Sequence, residues 1–421
     1  MLGALLEKID IPYIIFERTS LIRPLGSAIS IGSPILALFQ QLGIYDELVH
    51  SSLRYNHIAA HKENMEPYTL QDFTPLEDIT GYPQYIIARP VLYDLLLRQI
   101  PAHKILLKKK ILTISEEDDR VTIYAFDNTA YQGDILVGAD GAYSVVRQRL
   151  YEKLKKKGWL PKNDDEELPF NCTCLVGQTD YMDPDEFPIL KNPCSQVLAV
   201  RGTDLPYSYV SKFSRTNKEK NSEWGSHAAK QMCDETRDLR TPIKSDEGGY
   251  LKLGDLYDKT PQDRVSKVML EEKVFETWYH GRTVLLGDGA TAAIHDALAL
   301  TNLLYALPSK TSADIKHIFS EYQSERRPKA HATFKNSRLL SHILRKDHLG
   351  KMARMVSTNM PTWMWRIFLS KAFGNRPQAG FLEKVEAKGT GHVFSSSSME
   401  KARVVYQEWK ERMQIIHQDA L

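Results

Sequence analysis

The sequence predicts an α/β fold: a three-layer core around a mostly parallel sheet, interleaved with a strand-rich segment and closed by a helical C-terminus. Three observations carry this prediction. Short apolar runs, Pro12-Tyr13-Ile14-Ile15-Phe16, Ile135-Leu136-Val137 and Thr283-Val284-Leu285-Leu286, have the length and composition of strands buried on both faces. Segments of helical periodicity adjoin them across short turns, as in βαβ units. The block from Phe170 to about Lys273 interrupts this alternation with strand patterns of its own. The chain has 421 residues and is 42% hydrophobic, enough for two or three domains or one elaborate two-domain enzyme.

The elements follow in order. Leu2, Leu5, Leu6 and Ile9 share one helical face, and the next strand ends in Glu17-Arg18. Ser33 to Leu42 reads as a helix stopped by Gly43. Tyr85 to Ala88 is strand-like, and Pro90 opens a helix that turns Leu92, Leu95 and Leu96 inward. Ile105–Lys108, Ile111–Ser115 and Val121–Phe126 read as strands, and Lys108 to Lys110 as a solvated strand edge. The turn Gly138-Ala139-Asp140-Gly141 follows the strand at Ile135, and Ser144 is a natural N-cap for a helix reaching Leu154. The charged stretches Lys155–Lys157 and Asp164–Glu167 read as a solvated connector and a domain boundary. Val197–Arg201 and Tyr207–Phe213 exemplify the strand patterns beyond it. Thr291–Leu307 is an apolar helix ended by Pro308; Ser312–Lys335 is a long amphipathic helix, kinked or interrupted at Pro328. Met399–Ile416 forms a last charged helix. The expected domains are 1–160, 168–275, 276–335, which returns to the first, and 336–421.

Net charge is +2 and the isoelectric point about 8.1, which argues against nucleic acid or an anionic membrane as the main partner. The four cysteines, Cys172, Cys174, Cys194 and Cys233, have no CxxC spacing and suit a reducing compartment. No stretch reads as a membrane span or secretory signal, so a cytoplasmic location is expected. The 13 histidines show no metal-ligand spacing, and His295 reads as a packed helical histidine. The segment Trp363-Met364-Trp365-Arg366-Ile367-Phe368-Leu369 has two readings, core or lid packing and weak peripheral membrane contact.

Candidate binding residues lie at the ends of the buried strands. Glu17 ends the second strand of what would be a dinucleotide-binding unit, where a carboxylate can accept hydrogen bonds from ribose hydroxyls. Asp140 and Gly141 sit at the carboxyl end of the strand at Ile135, the end at which open α/β sheets bind ligands. Asp288 ends the strand at Thr283.

Four segments together resemble the group A flavoprotein monooxygenases, with fungal FAD-dependent epoxidases and hydroxylases of secondary metabolism as the nearest flavour. They are Ile14-Ile15-Phe16-Glu17-Arg18, the run from Ala88-Arg89-Pro90 to Leu96, the run from Asp134 through Gly138-Ala139-Asp140-Gly141 to Arg147, and Gly281 to Gly287-Asp288. Asn375-Arg376-Pro377-Gln378-Ala379-Gly380-Phe381 is similar to the same subgroup. The resemblance implies a Rossmann-like FAD-binding domain in which Glu17, Arg89, Asp140, Gly141 and Asp288 contact the cofactor. It also implies NAD(P)H as reductant, O2 as co-substrate, and a hydrophobic or aromatic small molecule as the compound hydroxylated or epoxidised. No acid–base residue is implied, because the cofactor carries the chemistry.

Two departures qualify the resemblance. The family opens with a strand and a GxGxxG turn, whereas this sequence starts inside the helix that follows. Asp288 runs straight into Gly289-Ala290-Thr291 without the family's connecting loop. The flanks match on both sides, as if coding segments had been omitted. The competing expectations are a flavin-fold paralogue without FAD turnover and a related flavin oxidase or dehydrogenase.

Overall fold

A computed structural model describes residues 1–22, 28–61, 64–166, 168, 170–183, 185–186, 201–202, 226–244, 249–271, 273–287, 289–343 and 348–419. Pro24–Ser27, the expected strands at Val197–Val200 and Tyr207–Phe213, Cys194 and Asp288 lie outside the described residues.

The mixed α/β character is present. Among the described residues the parallel part of the sheet consists of two strand pairs. Strand β1 (Ile15–Phe16), reached from helix α1 (Leu2–Leu6), pairs in parallel with β7 (Ile105–Leu106). Strand β11 (Leu136–Gly138) pairs in parallel with β18 (Thr283–Leu285), which also takes β17 (Tyr279–His280) antiparallel. The other pairings are antiparallel, so the expected mostly parallel sheet is corrected among the described residues. Strand β6 (Gln84–Ala88) is flanked by β2 (Ala28–Ile31) and β3 (Ser52–Tyr55); β4 (His57–His61) and β5 (Pro67–Asp72) form a hairpin. Strands β8 (Ile111–Glu116), β9 (Val121–Ala125) and β10 (Ala130–Gly133) form a meander.

The middle segment holds β12 (Phe170–Val176) between β13 (Arg201–Gly202) and β16 (Ser266–Glu271), and the hairpin of β14 (Arg240–Lys244) and β15 (Tyr250–Lys252). It also holds a helix, Ser226–Thr236, so it is less purely strand-built than its sequence pattern suggests.

Helix α2 (Ser33–Gln41), with Pro34 in its first turn, buries Ile35, Leu36, Leu38 and Phe39. It packs against the apolar helix Ala290–Tyr305 through Ile294, Ala297 and Leu298, and against Phe381 and Ala402 from the C-terminal region. A second cluster joins Val284 of β18 to Leu300 and Leu303 of that helix and to Ile318, Phe319 and Tyr322 of the helix Ser312–Ile343. Each such side chain contributes roughly 1.5–3 kcal/mol of apolar burial. The helix Ser312–Ile343 contains Pro328 without being interrupted by it. Arg376, buried, donates from Nη1 to the carbonyls of Thr80 and Lys388 and from Nη2 to that of Gly391, fastening the C-terminal loop to the Pro75–Thr80 helix.

Two surface readings need correction. Asp164 is not in a solvated connector: it is buried, and its carboxylate accepts the backbone N–H groups of Glu276 and Thr277, both at 2.8 Å. Lys108 does not sit on a strand edge but in a turn at φ 61°, and Lys109 pairs with Asp127 at 2.5 Å and lies over the Tyr131 ring. In both cases partners remote in sequence capture groups that look solvated in isolation.

Candidate functional site

The turn after β11 is built from its own residues. Ser144 caps the helix Val145–Lys156, its Oγ accepting the Arg147 N–H at 2.9 Å. Asp140 completes the cap. Its Oδ2 accepts the N–H groups of Val145 at 2.6 Å and Val146 at 3.2 Å, and its Oδ1 accepts the Ser144 hydroxyl. A carboxylate at a helix N-terminus is favoured by the helix dipole and by the unpaired amides there. Both oxygens of Asp140 are therefore engaged within the turn.

Two glycines make this turn feasible. Gly141 has φ +79°, a left-handed conformation, with open space where a Cβ would stand. At Gly138 the constraint is space: a Cβ would meet Leu285 Cδ2 at 2.8 Å and Val146 Cβ at 2.9 Å. The helix can thus lie close over β11 and β18, closing the cluster of Val146, Leu150, Tyr151, Leu154 and Leu285.

The described part of the Gly281–Asp288 segment lies beside this turn. Leu286 donates its N–H to the Gly138 carbonyl at 2.9 Å, so the carboxyl ends of β11 and β18 stay in register. Gly287 donates its N–H to Asp296 Oδ2 at 2.9 Å; Asp296 Oδ1 in turn accepts from Arg326 Nε at 2.6 Å, both side chains being almost wholly buried. Tyr322 donates its hydroxyl to the Leu285 carbonyl at 3.1 Å. Burial above all, reinforced by the Asp296 charge, pushes that hydroxyl pKa well up, so it remains a donor. Asp288 itself falls outside the described residues.

Glu17 and Arg89 form a separate grouping. Glu17 follows β1, and its Oε1 accepts the Thr19 N–H at 2.8 Å. Arg89 is the first residue of the helix Arg89–Leu97 and is exposed, and no carboxylate among the described residues forms an ion pair with it. Tyr93, one turn along the same helix, feels both: burial first, then the Glu17 carboxylate, raise its hydroxyl pKa, while Arg89 opposes them. An exposed guanidinium without a carboxylate partner among the described residues, near a carboxylate with one engaged oxygen, is free to meet a ligand carrying phosphate and ribose hydroxyls.

The structure places the described candidate residues in two groups, Glu17 with Arg89 and Asp140–Gly141 with Gly287. Tyr93, Asp296 and Arg326 were missed. Tyr93 lay inside the Ala88–Leu96 segment, at helical spacing from Arg89. Nothing in sequence joins Asp296 to Arg326, 30 positions away. His295 donates from Nε2 to the Pro34 carbonyl at 3.2 Å, and burial lowers its pKa to about 4, which leaves it neutral and structural. Among the described residues no cluster of His, Cys, Asp and Glu could hold a metal ion.

Residues 1–173 match the family described as FAD binding domain. The chain is 25% identical over 382 residues to the FAD-dependent monooxygenase paxM of Penicillium paxilli, covering 81% of this chain and 76% of that protein. It is 25% identical over 387 residues to the FAD-dependent monooxygenase andE of Emericella variicolor, covering 82% and 78%. Among solved structures, Klebsiella pneumoniae HpxO complexed with FAD and uric acid superposes with a TM-score of 0.64 at 16% identity, over 88% of this chain and 93% of that one.

Proposed function

We propose that the chain is an FAD-dependent monooxygenase that uses NAD(P)H and O2 to hydroxylate or epoxidise a hydrophobic or aromatic small molecule of secondary metabolism, in the cytoplasm; the FAD binding domain match over residues 1–173 and the similarity to FAD-dependent monooxygenases support this reading. The observation that carries the proposal is the register between Gly138 and Leu286, which sets two motif turns side by side at the carboxyl ends of β11 and β18.

In this reading Glu17 accepts from ribose hydroxyls and Arg89 pairs with phosphate, since each has bonding capacity left. Asp140 acts indirectly. With its oxygens held by Ser144, Val145 and Val146, it shapes the turn, and Gly141 lets the backbone approach the cofactor. Asp288 is assigned to the cofactor on its motif alone. When bound, FAD supplies the redox chemistry and the delivery of one oxygen atom. The chain's own residues bind, orient and exclude water, and the segment 168–275 faces the substrate.

One observation favours a second reading. Only residues 286–289 separate β18 from the helix Ala290–Tyr305, a connection shorter than the family's loop. A flavin-fold protein that no longer turns FAD over would fit that short connection. Visible absorption of the purified protein, before and after addition of FAD, separates the two. The monooxygenase reading expects a yellow protein, and NADPH consumption that depends on an added substrate and places an atom of O2 in the product. A colourless protein that takes up no FAD overturns it. Substrate oxidation without oxygen insertion would instead make the protein an oxidase.

A further inference from the structure

We infer that the helices α10 (His348–Thr358) and α11 (Thr362–Phe373) form a surface that binds the face of an anionic lipid bilayer. The segment read from sequence as either core or membrane contact divides between the two. Trp365 turns inward, stacking on Phe368 at 5.2 Å, packing on Phe73 and donating from Nε1 to the Asp72 carbonyl at the end of β5. Leu369 is fully buried beside Leu76 and Ile79. Trp363 and Ile367, one turn apart on the opposite side, face outward.

The neighbouring helix α10 repeats the arrangement. Met352, Met355 and Val356 fall at i, i+3 and i+4 and make an apolar stripe on its outer side. These five large side chains are between 48% and 65% exposed. Helix α10 packs on β5, and α11 is anchored at the end of the same strand, so both helices adjoin the hairpin of β4 and β5. A helix that turns its apolar residues to the outside is not explained by the protein's own core.

Charge selects the occupant. Residues 348–373 contain Lys351, Arg354, Arg366 and Lys371 and no Asp or Glu. Arg366 is paired with Asp78. Lys351 and Lys371 are exposed, without a carboxylate partner among the described residues. Exposed Trp, Met, Val and Ile beside basic residues, with acidic ones excluded, match an interfacial surface that buries apolar side chains among acyl chains and sets Lys against anionic headgroups. No helix among the described residues is long and apolar enough to cross a membrane, so the contact is one of lying on the surface.

The test is sedimentation of the full chain with phosphatidylcholine vesicles, with and without phosphatidylserine. The expected result is binding that requires phosphatidylserine and weakens with salt. It should fall about ten-fold or more in the double variant Met355→Ser, Trp363→Ser. It should fall about five-fold per residue in Lys351→Glu and Lys371→Glu, whose exposed sites leave thermal unfolding unchanged. Failure of the wild-type chain to sediment with phosphatidylserine vesicles overturns the inference, as does equal sedimentation of all variants. Loss of a dimer, rather than of vesicle binding, in the Met355, Trp363 variant would assign the surface to a second copy of the chain and also overturn it. None of these outcomes depends on FAD uptake, so this inference and the proposed function fail separately.

Discussion

Asp296 and Arg326 pair at 2.6 Å in the interior, and the remaining Asp296 oxygen accepts the Gly287 N–H. One carboxylate thus ties the helix Ser312–Ile343 to the end of β18. Removing one member of a buried pair strands the other charge, at a cost of about 3–5 kcal/mol. Arg326→Met should destabilise the protein by that amount in urea unfolding. Asp296→Asn combined with Arg326→Met should cost less than the sum of the single changes. Both single variants should also take up FAD less tightly, read by visible absorption, because the Gly287 backbone loses its fixed position.

The two glycines of the motif turn should respond to alanine through different physics. Gly138→Ala forces a Cβ against Leu285 and Val146 and should cost about 1–3 kcal/mol through overpacking. Gly141→Ala meets no atom but must hold φ +79°, at about 1–2 kcal/mol. Trimming Leu285 to Ala in the Gly138→Ala background should relieve part of the first cost and none of the second, as thermal unfolding of the paired variants would show.

Ser144→Ala removes the cap on the Arg147 N–H and should cost about 1 kcal/mol. Asp140→Ala exposes the Val145 and Val146 amides as well and should cost more, about 2 kcal/mol. No loss in chemical denaturation for Asp140→Ala would mean that the carboxylate is no part of the cap.

The buried His295 makes stability depend on pH. Its pKa is about 4 in the folded chain against an ordinary 6.5, so the unfolded state binds the extra proton between those values. The stabilisation is fully present above pH 6.5 and falls away as pH drops towards 4, by on the order of 3 kcal/mol. His295→Gln should flatten that slope in urea unfolding measured across this range. An unchanged slope would assign the acid sensitivity to other groups.

What the sequence made legible tracks the range of the interactions. The turn from Gly138 to Arg147 was readable because its cap, its left-handed glycine and its acceptors all lie within ten residues. The helix at Ser33 and the buried strand at Thr283 were readable from composition and period alone. Asp164 was misread as solvated because its partners, Glu276 and Thr277, come 112 and 113 positions later. The Asp296–Arg326 pair was invisible for the same reason, and the two tryptophans at 363 and 365 could not be assigned to opposite sides until the anchor at Asp72 fixed the helix rotation. Periodicity names the faces of an element but does not say which face meets which neighbour.

The Arg376 fastening bears on the order in which the molecule is made. Its guanidinium closes on the Thr80 carbonyl across 296 positions of sequence. During synthesis the first third of the chain therefore emerges long before its clasp exists, and the acceptors on the Pro75–Thr80 helix must wait in water. Closing so long a loop is slow relative to local helix formation, so maturation of this segment is expected to follow release from the ribosome. A C-terminal truncation ahead of Arg376 should then accumulate as a protease-sensitive species even though every residue before Thr80 is intact.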